Sequence, residues 1–342
     1  MTHDAFRRRY DAIRRGTDSR LRRVRPAAGA SRLREGCRYV LDGGGKRVRS
    51  VLLVLSCEAV GGKAARAMDA AAAVEIMHNF TLVHDDIMDN AESRRGRPTV
   101  HKKWSVNDAI LGGDVLGGAS YEALYRTPGS SREMLGEALT RGLLEVCEGQ
   151  SLDLEFELRT DVSVREYFRM ISKKTGSLLS AAAELGGLVG GGTRAQVSAL
   201  RLFGARVGRA FQVQDDLLDV VGDPDDFGKT IGGDILEGKK TYLLLRAAER
   251  AAGADGALIA RVLGKERPSP AWKKEDGSVT PAGHALVASV KEVYARCGVL
   301  AEAEKVVKRT TDEALAGLRR LPRTGAREML RLLAEELVHR ES

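Results

Sequence analysis

Apolar residues recur at i, i+3, i+4 and i+7 through most of the chain, most cleanly at Val197, Leu200, Gly204, Val207, Phe211, Gln214, Leu218 and Val221. This period is one stripe of a long helix. Asp215 and Asp219 lie off the stripe, with Gln212 and Gly208, so an acidic group ends that helix. A second long helix is predicted from Ala65 to Met88, with Val74, Met77, Thr81, Val83 and His84 passing down toward Asp85. Glycine clusters at Gly43-Gly44-Gly45, Gly61-Gly62 and Gly190-Gly191-Gly192 punctuate the helices, and alternating β-branched runs are few. The pattern predicts an all-α fold, a single-domain bundle of long antiparallel helices around a central cavity, spanning residues 1–342. Pro268 to Pro281 is polar and proline-bearing, so residues 265–282 read as a surface loop between helices.

Composition refines this picture. A chain of 342 residues can bury a large core, and no linker divides it. The 8 prolines leave Pro128 to Pro224 uninterrupted, which favours long helices. Cys37, Cys57, Cys147 and Cys297 form no C-x-x-C pair and no charged-then-apolar leader opens the sequence, so a reduced, cytoplasmic compartment is expected. The apolar run near Val51 to Leu55 is too short for a membrane span. A net charge of +8 and pI near 9.4 raise nucleic acid as a partner, and Arg7-Arg8-Arg9, Arg14-Arg15 and Arg22-Arg23 crowd the start. Phe6, Tyr10 and Ile13 recur among those arginines at helical spacing, however, which fits an amphipathic basic helix within residues 1–30. With no recognition motif for DNA or RNA, nucleic-acid binding is not expected.

The chemistry lies in two D-D-x-x-D groups, Asp85-Asp86-Ile87-Met88-Asp89 and Asp215-Asp216-Leu217-Leu218-Asp219. A helix sets the first and last aspartate of each roughly 6 Å apart on one face. At that spacing two carboxylates repel by about 3 kcal/mol at an effective dielectric of 20, so a cation is expected to offset them. Oxygen-only ligands suit Mg²⁺, which shares its coordination with water and substrate phosphate, and a phosphorylated substrate follows. Basic residues stand at the boundaries of these motifs: Gly43-Gly44-Gly45-Lys46-Arg47-Val48-Arg49 joins two helices, and Arg94-Arg95-Gly96 follows the first acidic group. Lys173-Lys174-Thr175-Gly176, Gly228-Lys229 and Glu237-Gly238-Lys239-Lys240 add further cations, more than one phosphate needs. The glycine segment is not a P-loop, since no Ser or Thr follows the lysine.

From about Arg34 to about Leu245 these residues resemble the trans-isoprenyl diphosphate synthases, short-chain polyprenyl synthetases with the isoprenoid synthase type I fold. The matching motifs are Gly44 to Arg49, the first aspartate group, Arg94-Arg95-Gly96 with Pro98-Thr99-Val100-His101, Gly149-Gln150 with Asp153, Lys174-Thr175, Phe211-Gln212 with the second aspartate group, Gly228-Lys229 and Lys239. The resemblance implies that Asp85, Asp89 and Asp215 bind Mg²⁺, three ions per site, while Asp86, Asp216 and Asp219 orient metal-bound water. It implies that Arg94, Lys174, Lys229 and Lys239 hold an allylic diphosphate, and that Lys46, Arg49, His78 and Arg95 hold isopentenyl diphosphate. Thr175 and Gln212 become candidates for stabilising an allylic cation. The primer is dimethylallyl, geranyl or farnesyl diphosphate, and a homodimer is expected by the same analogy. Phe80, five residues before Asp85, with Thr81 and Met77, looks like a floor under the growing chain. That favours geranylgeranyl diphosphate (C20), then farnesyl diphosphate (C15), over a longer polyprenyl product. A class I terpene synthase usually has one aspartate-rich motif and needs no second diphosphate site, and a noncatalytic regulatory subunit usually loses acidic ligands that are complete here. Ser50 replaces the family's usual proline after the basic loop, and Tyr242 stands where leucine is commoner.

Overall fold

The computed structural model describes residues 2–24, 30–222, 231–264, 271–272 and 278–338. In chain order it forms α1 (His3–Arg23), α2 (Ser31–Leu41), α3 (Val48–Ala59), α4 (Ala64–Met88), the hairpin β1 (Ser93–Arg94) and β2 (Arg97–Pro98), α5 (Val100–Lys103) and α6 (Val106–Tyr125). There follow α7 (Arg132–Glu157), α8 (Val164–Ile171), a π-helical turn (Ser172–Gly176), α9 (Ser177–Val189), α10 (Arg194–Val221) and α11 (Gly233–Glu237). The chain closes with α12 (Tyr242–Arg250), α13 (Gly253–Leu263), α14 (Pro281–Arg296), α15 (Val299–Gly317), a 3-10 turn (Leu318–Arg320) and α16 (Gly325–Val338). The fold is all-α, and the hairpin is the only sheet among the described residues. The long helices predicted around Ala65–Met88 and through Val221 are α4 and α10. Two compact units emerge: Met1–Val146 with Ser177–Ala205 and Ala314–Ala334, and Cys147–Gly176 with Arg206–Glu313 and Glu335–Ser342.

In the first unit α4 packs against α6 and α3, and α3 against α9. Small residues set these distances. Ala70, Ala71 and Ala73 are fully buried, and the Ser120 hydroxyl of α6 donates to the Ala73 carbonyl at 2.8 Å. A Cβ on Gly113 would stand 2.3 Å from the His84 ring, and one on Gly186 2.2 Å from the Leu53 carbonyl oxygen, so only glycine permits either crossing. The apolar run Val51–Leu55 is buried on every side of α3. Among the described residues no helix is long and apolar enough to cross a membrane. Helix α1, capped by the Thr2 hydroxyl, buries Phe6, Ile13, Thr17 and Leu21 and leaves Arg7, Arg8, Arg14, Arg15, Arg22 and Arg23 exposed. Arg20 ties it to Asp69 of α4 at 2.7 Å.

The second unit closes around Tyr167, Val213, Leu217, Leu236, Leu243 and Tyr294. Each such apolar side chain stabilises the unit by about 1.5–3 kcal/mol over an exposed one. Within 265–282, residues 265–270 and 273–277 lie outside the described residues, Trp272 is buried in the core, and Pro281 and Ala282 open α14. The Thr280 hydroxyl accepts from Gly283 N–H, and proline at the first helical position loses no hydrogen bond.

Candidate functional site

In the first unit the acidic group closes α4, and the hairpin after it carries the cations. Arg95 (φ 55°) and Gly96 (φ 71°) both lie in the left-handed region, as a two-residue hairpin turn that matches the strand twist requires. Arg94 and Arg97 pair across that turn. Arg94 Nε donates to Asp86 Oδ1 at 2.6 Å, with a further nitrogen 3.7 Å from Asp85. Burial pushes the Asp86 carboxyl up against the opposing pull of Arg94. Asp86 is therefore the inward carboxylate, whereas Asp85 is half-buried and Asp89 exposed at the helix end. Arg95 turns toward the glycine loop, where its guanidinium donates to the Gly44 carbonyl and would touch a Cβ on Gly45 at 3.2 Å.

The glycine loop itself is locked by Arg47. Its backbone is left-handed (φ 55°, ψ 33°) and its side chain only 3% exposed. A non-glycine residue in that region costs about 1–2 kcal/mol, and the side chain offsets this by its partners. Nε donates to Asp18 at 2.9 Å, another nitrogen to the Leu41 carbonyl at 3.1 Å, and a third stands 3.7 Å from Glu75. Glu75 is buried too and accepts the Ser50 N–H at 3.1 Å. The serine at that position thus has a use for the N–H that proline lacks. Lys46 remains exposed beside Arg47, and Arg49 opens α3. His78 is brought among these cations: burial, then the charges of Arg49, Arg95, Arg94 and Arg47, hold its imidazole well below the ordinary range, so the ring is neutral. A small cleft beside the hairpin is lined by Tyr39, Asn79, Leu82, Asp86, Arg94 and Arg95. Tyr39 anchors the hairpin, with its hydroxyl on the Pro98 carbonyl at 2.8 Å and the Arg97 guanidinium 3.8 Å over its ring. Phe80 stacks edge-on against His84 at 4.8 Å and faces Gly117 of α6, Met77 is fully buried, and the Thr81 hydroxyl donates to the His78 carbonyl.

In the second unit α10 ends in the other acidic group, and its middle aspartate again points inward. Asp216 is 3% exposed and accepts from the Tyr167 hydroxyl at 2.6 Å, Gln212 Nε2 at 3.0 Å and the Tyr242 N–H at 3.4 Å. The Thr175 hydroxyl donates to Gln212 Oε1 at 2.8 Å, which fixes which end of that amide faces Asp216. Asp219 accepts the Asp234 N–H at 3.1 Å. Burial, then the charge of Asp234, raises both Asp216 and Asp219. Asp234, chiefly, pulls Lys239 well above its ordinary value from 3.8 Å. Lys174 pairs with Asp153, and Lys173 with Glu148. Both lysines sit on the π-helical turn, which fits against α7 because Gly149 has no side chain: a Cβ there would lie 2.2 Å from Lys174 N. Lys240 is structural, its buried ammonium donating to the carbonyls of Gly238 at 3.2 Å and Leu263 at 3.0 Å. Gly228 and Lys229 lie outside the described residues.

Among the described residues no group of three or more His, Cys, Asp or Glu side chains could hold a metal unaided. Mg²⁺ needs no such cage, since it keeps several waters and takes one or two carboxylates with phosphate oxygens. Asp85 and Asp89, a helical turn apart, supply donors of that kind in the first unit, and Asp215 supplies one in the second, so the residue types suit the ion. Tyr167 and Asp234 carried no sequence signal of their own, and Arg47 was legible only as one member of the basic loop; each is defined by a partner elsewhere in the chain.

The polyprenyl synthetase family profile matches residues 30–276. The chain is 40% identical over 306 residues to a short chain isoprenyl diphosphate synthase of Methanothermobacter thermautotrophicus, covering 89% of each. It is 38% identical over 314 residues to the geranylgeranyl diphosphate synthase of Saccharolobus solfataricus, covering 90% of each. The crystal structure of geranylgeranyl pyrophosphate synthetase from Pyrococcus horikoshii superposes with a TM-score of 0.89 at 37% identity, covering 99% of each chain. With its motifs, its helical architecture and its relatives in agreement, the chain belongs to the polyprenyl synthetase family of prenyltransferases, which bind diphosphates through a divalent metal.

Proposed function

We propose that the protein condenses isopentenyl diphosphate with dimethylallyl, geranyl or farnesyl diphosphate in a Mg²⁺-dependent reaction that ends at geranylgeranyl diphosphate, with farnesyl diphosphate as the shorter alternative. The observation that carries this reading is the hairpin, whose adjacent residues Arg94 and Arg95 reach the acidic end of α4 and the glycine loop respectively. Such a pair serves two anions, as a condensation of two diphosphates demands.

In this reading Asp85, Asp89 and Asp215 hold Mg²⁺, three ions per site. Bound there, the metal supplies positive charge against the leaving diphosphate. Arg94, Lys174, Lys229 and Lys239 hold the same diphosphate as the allylic C–O bond breaks and its electron pair leaves with the oxygen. Asp86 keeps Arg94 aimed, by the 2.6 Å bond. Lys46, Arg49, Arg95 and neutral His78 hold isopentenyl diphosphate. Its double bond attacks the allylic carbon, and a proton then leaves to the departed diphosphate. The oxygen of Gln212, held by Thr175, presents its negative end to the developing cation. Phe80, with Met77 and Thr81, limits the length of the product.

Exposed apolar residues on α6 (Val106, Ile110, Leu111) and the first part of α7 (Met134, Leu144) support a homodimer, which sedimentation equilibrium tests. The four cysteines are free thiols, which supports residence in the reducing cytoplasm. The decisive assay supplies isopentenyl diphosphate with each allylic primer and Mg²⁺ and reads product length by mass. A C20 product is expected, and no condensation with any primer would overturn the reading.

A further inference from the structure

The proposed reaction does not use the arginine-rich helix α1, and its contacts point to a task. The Tyr10 hydroxyl donates to the carbonyl of Lys46. Asp18, two turns further along, accepts from Arg47 Nε at 2.9 Å. Arg9 pairs with Glu58 on α3, the helix that the glycine loop opens. Thus α1 grips the loop at two successive residues and braces the helix after it. Arg47 is the pivot: buried, held in a left-handed conformation, and flanked by the exposed Lys46 on one side and the first turn bearing Arg49 on the other. A left-handed arginine relaxes once its partners are lost, and any rotation there re-aims Lys46 and Arg49 together.

We infer that α1 is a positioning element for the isopentenyl diphosphate site, with Tyr10 and Asp18 setting the geometry of the Lys46–Arg49 loop from outside it. This rests on the assignment of that loop to isopentenyl diphosphate. Tyr10 and Asp18 reach the loop from the inner face of α1, whereas Arg14 on the outer face pairs with Asp11 of the same helix.

The test is steady-state kinetics with each substrate varied in turn, beside calorimetric titration of isopentenyl diphosphate in the absence of a primer. Tyr10→Phe removes one donor and is expected to raise KM and Kd for isopentenyl diphosphate about three- to tenfold, the ratio that one neutral hydrogen bond is worth. KM for the allylic substrate and kcat should stay within twofold. Asp18→Asn should act in the same direction and more strongly, because it withdraws the counter-charge of Arg47. Arg15→Gln on the outer face should change neither substrate's KM. Equal rises in both KM values, or loss of thermal stability with the ratio of KM values unchanged, would overturn the inference. Wild-type protein that condenses nothing would instead sink the assignment of function, whereas active Tyr10→Phe enzyme with wild-type substrate ratios would overturn only the role of α1.

Discussion

Replacing Gly149 with alanine adds one methyl group at the point where α7 meets the π-helical turn. The new Cβ would lie 2.2 Å from Lys174 N, 2.6 Å from its Cα and 2.8 Å from the Lys173 carbonyl carbon. All three atoms are backbone, so no rotamer change relieves the overlap. Ordinary contact begins near 3.4 Å, which forces the turn carrying Lys174 and Thr175 to retreat by about 1 Å. A displacement of that size at reacting groups costs roughly 100-fold in rate. The stability loss should be modest: overpacking costs about 1–3 kcal/mol, of which alanine in a helix interior recovers about 1 kcal/mol over glycine. The expected result is kcat reduced about 100-fold with a melting temperature within a few degrees of wild type. Gly36→Ala, in the middle of α2 with nothing within 4 Å of its added Cβ, should keep full activity and gain about 1 kcal/mol. Wild-type kcat in Gly149→Ala would refute the claim that the π-helical turn must sit in this register.

Phe80→Ala should lengthen the product by one or more isoprene units, read by mass under excess isopentenyl diphosphate; unchanged length would exclude Phe80 as the floor. Lys239→Ala should raise the allylic KM at least tenfold with little change in melting temperature. Lys240→Ala should do the reverse and destabilise by about 2 kcal/mol, because it strips the donor from two buried carbonyls. Asp216 and Asp219 are raised from the usual carboxylate range to about 7, so the folded protein binds more protons than the unfolded chain between those limits. Without Mg²⁺, that contribution makes the protein lose stability as pH rises from about 4 to 7. Asp219→Asn should flatten the melting-temperature profile over this interval, and an unaltered slope would show that Asp219 titrates normally.

The long helices were legible because burial of one face imposes a 3.6-residue period over many turns, and α4 and α10 obey it with little interruption. Both acidic groups were legible from spacing alone. Which aspartate turns inward was not, since Asp86 is chosen by Arg94 and Asp216 by Tyr167, 49 residues away. The hairpin is too short for any alternation to announce it. Ser172-Lys173-Lys174-Thr175-Gly176 reads as ordinary helix, and only the approach of Gly149 reveals that the turn is widened. Arg47 was legible only as one cation of the glycine loop, because nothing local records that its backbone reverses hand and its side chain enters the protein.

The hairpin turn has a thermodynamic corollary. Arg94 ends β1 and Arg95 opens the two-residue turn that follows, so a tilt of the hairpin shifts both guanidinium groups at once. If an anion at one arginine biases that tilt and so changes the affinity at the other, an anion at the second must change the affinity at the first by the same factor. In the proposed reading, coupling between the two diphosphates would therefore reside in a four-residue segment, and inserting a single residue into its turn should uncouple them while leaving both arginines in the chain.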